Sequence, residues 1–306
     1  MTKMTKSIYS RCTLCPRECG ADRYNGRGAC GEGALLRIAR AELHKWEEPC
    51  LSPSGRSGTV FFSGCQLGCV YCQNYQLSAE HKGFVVSERQ LADTFLRLRD
   101  MGAENIDLVT PTHFVPGIME ALDMVKAELD IPVIYNCGGY EKPETLEMLR
   151  GYIDIFLPDL KYMDSGLSGR LSNAPDYFAR ASEAINKMLD IAGKPCYDET
   201  GRLTSGVLVR HLVLPSCRHD SIALIHWLAR TFEPDSLLVS LMSQFTPVYK
   251  AGEHGLDRRT FTFEYRSAAK ELEAAGFDGF FQERTSAEED YIPEFYDHLY
   301  YDLSNT

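Results

Sequence analysis

With 306 residues, 44% of them hydrophobic, the chain can bury one large core plus a small appendage, and single α/β barrels reach this size. The formal net charge of −11 argues against an electrostatic grip on nucleic acid, which needs basic surface, and no run approaches the roughly 18 apolar residues of a membrane helix. Eleven cysteines in a chain this long are not a secreted disulfide framework, and the two lysines within residues 1–7 are followed by no apolar stretch. No secretory leader is therefore expected, and the cysteines read as metal ligands in a reducing cytoplasm.

Residues 1–58 lack regular periodicity and carry Cys12-x2-Cys15-x3-Cys19 and then Cys30. Four thiolates on short loops satisfy either tetrahedral zinc or a closed iron–sulfur cluster. So short a segment has little core of its own, so the metal would supply much of its folding free energy. His44 and Cys50 read as structural. From residue 59, apolar β-rich runs at 59–64, 105–110, 131–136, 152–158, 206–215 and 236–243 alternate with helical patterns at 87–101, 116–129, 143–150, 177–191, 220–232 and 262–275. A weaker final strand falls at 277–281. Ser87 followed by Gln90 predicts a capping box, and Pro116 and Pro143 suit first helical turns. Runs such as Ile153-Asp154-Ile155-Phe156-Leu157 suit strands covered on both faces, so the β-α repeats predict an α/β fold with a parallel sheet or barrel. In such folds ligands gather at the carboxyl ends of the strands. The chain thus divides into a cysteine-rich metal-bound extension (1–58), a core (59–283) and an acidic, aromatic closing segment (284–306).

The first core strand leads into Cys65-Gln66-Leu67-Gly68-Cys69-Val70-Tyr71-Cys72. A four-iron cluster takes four thiolates, so this local set of three leaves one iron open to a ligand that is not protein. A zinc knuckle would lack its fourth protein ligand.

This C-x3-C-x2-C spacing, with an aromatic before the last cysteine, resembles the radical S-adenosylmethionine (SAM) superfamily. The wider chain resembles its pyruvate formate-lyase activating enzyme-like branch, and more closely a subgroup with an N-terminal cysteine-rich extension. The matching stretches are Cys12-Thr13-Leu14-Cys15-Pro16-Arg17, Asn105 to His113, Leu157-Pro158-Asp159-Leu160-Lys161-Tyr162 and Ser240 to Pro247. The resemblance implies a partial (β/α) TIM-like barrel of the radical SAM type. It implies a [4Fe-4S] cluster on Cys65, Cys69 and Cys72, with SAM chelated at the open iron. Reductive cleavage of SAM would give a 5′-deoxyadenosyl radical that abstracts hydrogen, an oxidoreductase chemistry. Tyr71 matches the position near the adenine. Asp159 and Lys161 match a D-x-K motif in which the lysine binds the SAM carboxylate and the aspartate a monovalent cation. His211 matches an H-x-V motif near SAM.

There are departures from the pattern. A Gly-Gly-Glu string after the second strand is replaced by Thr110-Pro111-Thr112-His113, where Pro111 has no amide N–H, so Thr110, Thr112 and His113 become the candidate SAM contacts. Asn136-Cys137-Gly138-Gly139 stands where an aspartate-threonine-asparagine-glycine string is expected; Asn136 lacks the charge that would hold a cation, and Gly138 and Gly139 would admit SAM closely. The resemblance implies activation of a glycyl radical enzyme, with flavodoxin or ferredoxin as reductant. The alternatives are radical chemistry on another peptide or small molecule, and a non-catalytic iron–sulfur electron carrier.

Overall fold

The computed structural model describes residues 3–281; the closing segment expected at 284–306 lies outside the described residues. In chain order the elements are α1 (Lys3–Ser10), β1 (Arg37–His44), β2 (Ser57–Phe62), α2 (Tyr75–Ser78), β3 (Phe84–Val85), α3 (Glu88–Asp100), β4 (Asn105–Val109), α4 (Val115–Val125), β5 (Val133–Cys137), α5 (Pro143–Met148), β6 (Ile155–Pro158), α6 (Ser165–Ser172), α7 (Tyr177–Ala192), β7 (Cys196–Tyr197), β8 (Leu203–Leu212), α8 (Arg218–Thr231), β9 (Leu238–Met242), α9 (Thr262–Ala275) and β10 (Gly279–Phe281).

Local chemistry explains the helix starts. Ser87 Oγ accepts from Gln90 N at 3.2 Å while Gln90 Oε1 accepts from Ser87 N at 2.9 Å, so the predicted capping box opens α3. Pro116 and Pro143 lie in the first turns of α4 and α5, where a missing N–H costs nothing. Helix α6 has no counterpart in the sequence reading: Ser165-Gly166-Leu167-Ser168-Gly169 is a poor helix former, and the turn is held by Asp164 Oδ1 accepting from Leu167 N at 2.6 Å.

The sheet runs β10-β9-β8-β6-β5-β4-β2-β1-β3, parallel from β2 through β10, with β1 antiparallel to both β2 and β3. This is an α/β fold with a mostly parallel sheet. Residues 37–44, assigned to the extension from sequence, are therefore a strand of the main sheet. The strand expected at 206–215 is β8; it begins earlier and stops at Leu212, beyond which Pro215 has no amide to pair. Every residue of β2, β5, β6 and β9 is buried, as strands covered on both faces require.

Alternate residues feed two cores. Val133, Tyr135, Phe156, Val207, Val209 and Val239 pack in the large cluster that also holds apolar residues of the helices. Ile134, Ile155, Leu157, Leu208 and Leu238 line the opposite face, where they meet Cys50 and Leu51. The segment after β1 crosses the amino ends of β8 and β4: Leu203 N donates to Cys50 O at 2.7 Å and Asn105 Nδ2 to Leu51 O at 2.8 Å. Among the described residues no helix is long and apolar enough to cross a membrane.

Candidate active site

The cysteine triad follows β2 at the carboxyl end of the sheet. Each sulfur meets at least one donor. Leu67 N lies 3.4 Å from Cys65 Sγ, Ser172 Oγ 3.0 Å from Cys69 Sγ and Ser78 Oγ 3.3 Å from Cys72 Sγ. Burial pushes the Cys65 thiol up to about 12 and that of Cys72 to about 11, with Cys69 beside each adding to the shift. One buried and two partly buried sulfurs with hydrogen-bond donors fit a set that becomes thiolate only on a positively charged metal centre. Tyr71 extends this network: its hydroxyl lies 2.6 Å from that of Tyr162, which is 2.8 Å from Ser172 Oγ.

Lys161 lies close to the triad. Its ammonium is raised: burial alone would lower it, but Asp159 and Cys69 outweigh that. Lys161 Nζ donates to Asp159 Oδ2 at 2.6 Å, and Arg210 Nε to Asp159 Oδ1 at 3.1 Å. Arg210 also reaches Asn136 Oδ1 at 2.6 Å, and Asn136 Nδ2 donates to Asp107 Oδ2 at 3.2 Å. Burial works to raise the Asp159 carboxyl, but the two cations hold it below the usual range. At Asp107 burial prevails and pushes the carboxyl to about 6. Both Asp159 oxygens are engaged by protein cations, and a guanidinium spans the distance from Asp159 to Asn136. The monovalent cation implied by the resemblance thus meets a site already filled by Arg210. Sequence reasoning missed Arg210 because nothing in the sequence shows that it points the same way as Asp159; their pairing comes from the parallel bridge between these two residues.

Gly138 and Gly139 stand where the resemblance placed them, for reasons visible in the packing. A Cβ on Gly138 would meet Leu67 Cδ1 at 2.7 Å and Lys161 Cε at 3.7 Å. Gly139 has φ +77°, and a Cβ there would lie 2.2 Å from Asp159 O. Tyr177 closes this corner, its hydroxyl donating within reach of Gly138 O (2.8 Å) and Asp159 O (2.7 Å) and accepting from Lys161 N at 3.0 Å. Thr110 takes φ +59°, an uncommon conformation for a β-branched residue, at the carboxyl end of β4.

The other candidates face elsewhere. Thr112 Oγ1 donates to Glu141 Oε1 at 2.8 Å and accepts from Gln66 Nε2 at 3.1 Å. His113 Nε2 donates to Ser63 O at 2.6 Å; burial, then the Arg23 charge, pushes its imidazole down to about 3, so it stays neutral. His211 is satisfied at both ring nitrogens, by Leu160 O at 2.6 Å and Ser221 Oγ at 2.8 Å, and has none left for a cofactor. It lies on the strand face that carries Val207 and Val209, opposite Arg210.

Glu141, not singled out from sequence, is fully buried and holds Thr112, Gln66 and Tyr135 together; Gln66 Nε2 and Tyr135 OH each lie 3.1 Å from its oxygens. Burial pushes its carboxyl up to about 8 against these hydrogen bonds. Because the folded value lies above the unfolded one of about 4.3, stability falls as pH rises between them. Glu141→Gln, fixed neutral, is expected to gain on the wild type by a few kcal/mol between about pH 5 and 8. Urea unfolding at the two pH values measures this, and a difference that does not change with pH would refute it.

Of the N-terminal cysteines, Cys12, Cys15 and Cys30 are buried and Cys19 is exposed. The knuckle is tied by Cys12 N to Ala21 O and Gly20 N to Cys12 O, both 3.0 Å. Cys19 and Cys30 flank Gly28, a Cβ on which would lie 3.6 and 3.4 Å from their sulfurs. Among the described residues no three His, Cys, Asp or Glu side chains converge on a point that would hold a single metal ion. Elsewhere, a cleft of about 300 Å³ is lined by Asp164, Arg170, Ser216, Cys217, His219 and Asp220.

Residues 59–201 match the family model of the Radical SAM superfamily. An uncharacterized protein of Methanocaldococcus jannaschii is 29% identical over 287 residues, covering 88% of this chain and 76% of that protein. Among solved structures, a radical SAM methyltransferase from Sphaerobacter thermophilus aligns with a TM-score of 0.52 at 17% identity, over 74% of this chain and 66% of that one, which is a likeness of fold. QueE from Escherichia coli aligns with a TM-score of 0.43 at 11% identity, over 81% of this chain and 94% of that one.

Proposed function

From a chain that carries a radical SAM superfamily domain at residues 59–201, we propose an activating enzyme of the pyruvate formate-lyase type, which removes a hydrogen atom from a glycine of a protein partner. The observation that supports this reading is the triad Cys65, Cys69 and Cys72 with the Lys161 ammonium, paired to Asp159, near enough to feel the charge of Cys69. When bound, a [4Fe-4S] cluster and SAM together supply a 5′-deoxyadenosyl radical. The protein's share is to hold and orient. Lys161 offers a charge-assisted bond to the SAM carboxylate, Gly138 makes room for Leu67 beside it, and Tyr71 presents a buried ring beside the triad. Thr110 is the remaining candidate for the amino group. The sheet, in this reading, curls into a partial barrel around the site, and the N-terminal cysteines hold zinc or a second cluster. Flavodoxin or ferredoxin is the reductant.

The filled cation site and the Thr-Pro-Thr-His departure favour a second reading, the same radical chemistry on a different peptide or a small molecule. Anaerobic reconstitution of wild type and a Cys65/Cys69/Cys72→Ala variant, with dithionite and SAM, separates the possibilities. Wild type is expected to form 5′-deoxyadenosine and the variant none. A glycyl radical signal on a supplied glycyl radical enzyme would support the first reading, and SAM cleavage without that signal the second. A fully loaded wild type that never cleaves SAM would leave an electron carrier.

A further inference from the structure

The start of α9 shows solvent two aromatic rings that the fold holds in place without burying. Phe261 and Phe263 are 51% and 55% exposed, and their rings stack at 6.1 Å with 26° between planes. The Arg258 guanidinium lies 3.9 Å from the centre of the Phe261 ring, and that of Arg218, in the first turn of α8, lies 5.3 Å from the centre of the Phe263 ring. Buried Glu264 fixes this arrangement. Its oxygens accept from Phe261 N and Ser216 N at 2.7 Å each and from Arg258 at 2.8 and 2.9 Å, which joins the beginnings of α8 and α9. An exposed aromatic pair on so firm a support has little freedom left to lose on binding, which suits a recognition surface.

Charge on the same surface is the second observation. Arg266 and Lys270 follow Phe263 at i+3 and i+7, so all three share the outer face of α9, and both cations are exposed. Arg218 and Arg259 add two more beside the start of the helix. Among the described residues none of these four cations is in an ion pair. A chain whose net charge is −11 thus leaves a stripe of unmatched positive charge around two exposed rings.

A segment of matching chemistry starts within reach. Strand β10 runs parallel to β9 with Phe281 opposite Leu241, so the chain leaves β10 toward the carboxyl end of the sheet, where α8 and α9 also begin. Residues 284–306 carry six carboxylates against one arginine, together with five Tyr or Phe side chains. Ile292, Phe295, Tyr296, Leu299 and Leu303 recur at the spacing of one helix face. Ten extended residues span about 33–36 Å, enough to bring the segment from Phe281 to α9. The tether also holds it at an effective concentration of about a millimolar, so modest complementarity suffices.

We propose that residues 284–306 of the same chain dock on this surface, their aromatic side chains against Phe261 and Phe263 and their carboxylates beside Arg218, Arg259, Arg266 and Lys270. The surface borders the cleft of about 300 Å³ described above: Arg258 donates to Ser216 Oγ at 3.0 Å, and Ser216 and Cys217 line that cleft. The docked segment therefore stands at the cleft's rim, at the end of the sheet that carries the triad. The docking does not depend on which reaction the triad supports.

Amide hydrogen exchange of the anaerobically prepared full chain tests this. Wild type is compared with Phe261→Ser/Phe263→Ser, with Arg218→Glu/Arg266→Glu, and with Glu288→Lys/Glu289→Lys/Asp290→Lys. Residues 291–303 are expected to exchange at least about tenfold faster in each variant than in wild type. Joining the Arg→Glu and acidic→Lys sets in one chain is expected to restore part of the protection, because the charges are exchanged rather than removed. Wild-type protection should also weaken as salt rises from about 0.1 to about 1 M, where screening shortens from about 10 to about 3 Å. Equal exchange at 291–303 in wild type and all variants would overturn the proposal. So would protection that grows with protein concentration alongside a dimer in sedimentation, because the segment would then sit on a second copy. Amides of β5 report whether a variant keeps its fold; should one lose it, the salt series on wild type decides, and protection indifferent to salt counts against the docking.

Discussion

Arg210→Met is expected to lower the unfolding free energy at pH 7 by roughly 3–5 kcal/mol, because it removes one partner from a buried charge network and leaves the rest in place. Arg210 joins Asp159 to Asn136, and through Asn136 it reaches Asp107. The pH dependence is part of the prediction. A carboxyl held below its ordinary value, as Asp159 is, contributes stability above its unfolded pKa of about 3.9 and loses it as pH falls through the folded value. The variant lacks much of that contribution, so the two stability curves should converge below about pH 4. Urea unfolding at pH 7 and at about pH 2–3 provides the comparison, and a loss under about 1 kcal/mol at pH 7 would show that these side chains do not act as one network.

Lys161→Ala should weaken SAM binding to the cluster-loaded protein roughly ten- to a hundred-fold, the worth of one charge-assisted bond of about 1.5–3 kcal/mol. Iron content should be unchanged, and Lys161→Arg should recover part of the affinity, because the charge returns without the same reach. The stability cost should be smaller than for Arg210→Met, since Asp159 keeps its bond to Arg210. Anaerobic calorimetry with SAM checks this; equal affinity in the two proteins would remove Lys161 from the site.

How much of this could be read in the sequence depended on whether the signal was local. The triad, the capping box at Ser87 and Gln90, and α9 at Thr262–Ala275 are carried by short spacings, and each falls where its pattern puts it. The alternation of strands and helices gave the parallel sheet, because strands buried on both faces are distinctive even singly. What escaped was set by distant partners. Ser172 reaches Cys69 from a helix with little propensity, Glu141 acquires its role from Thr112, Gln66 and Tyr135, and Arg210 becomes a site residue only through Asp159. For His211 a motif match and a core role predict the same residue, and only its two filled nitrogens separate them.

The order of the strands bears on how the chain matures. Strands β2, β4, β5 and β6 pair in the order in which they are synthesised, so each can join the growing sheet as it leaves the ribosome. The N-terminal cysteines emerge before any of them, yet the groups that hold their loops come late. Thr145 Oγ1 donates to Leu14 O at 2.7 Å, and the carbonyls that accept from Arg17 reach as far as Asn173. The loops of the first cysteines translated can close locally at once, but their full set of contacts is complete only after more than half of the chain has been made.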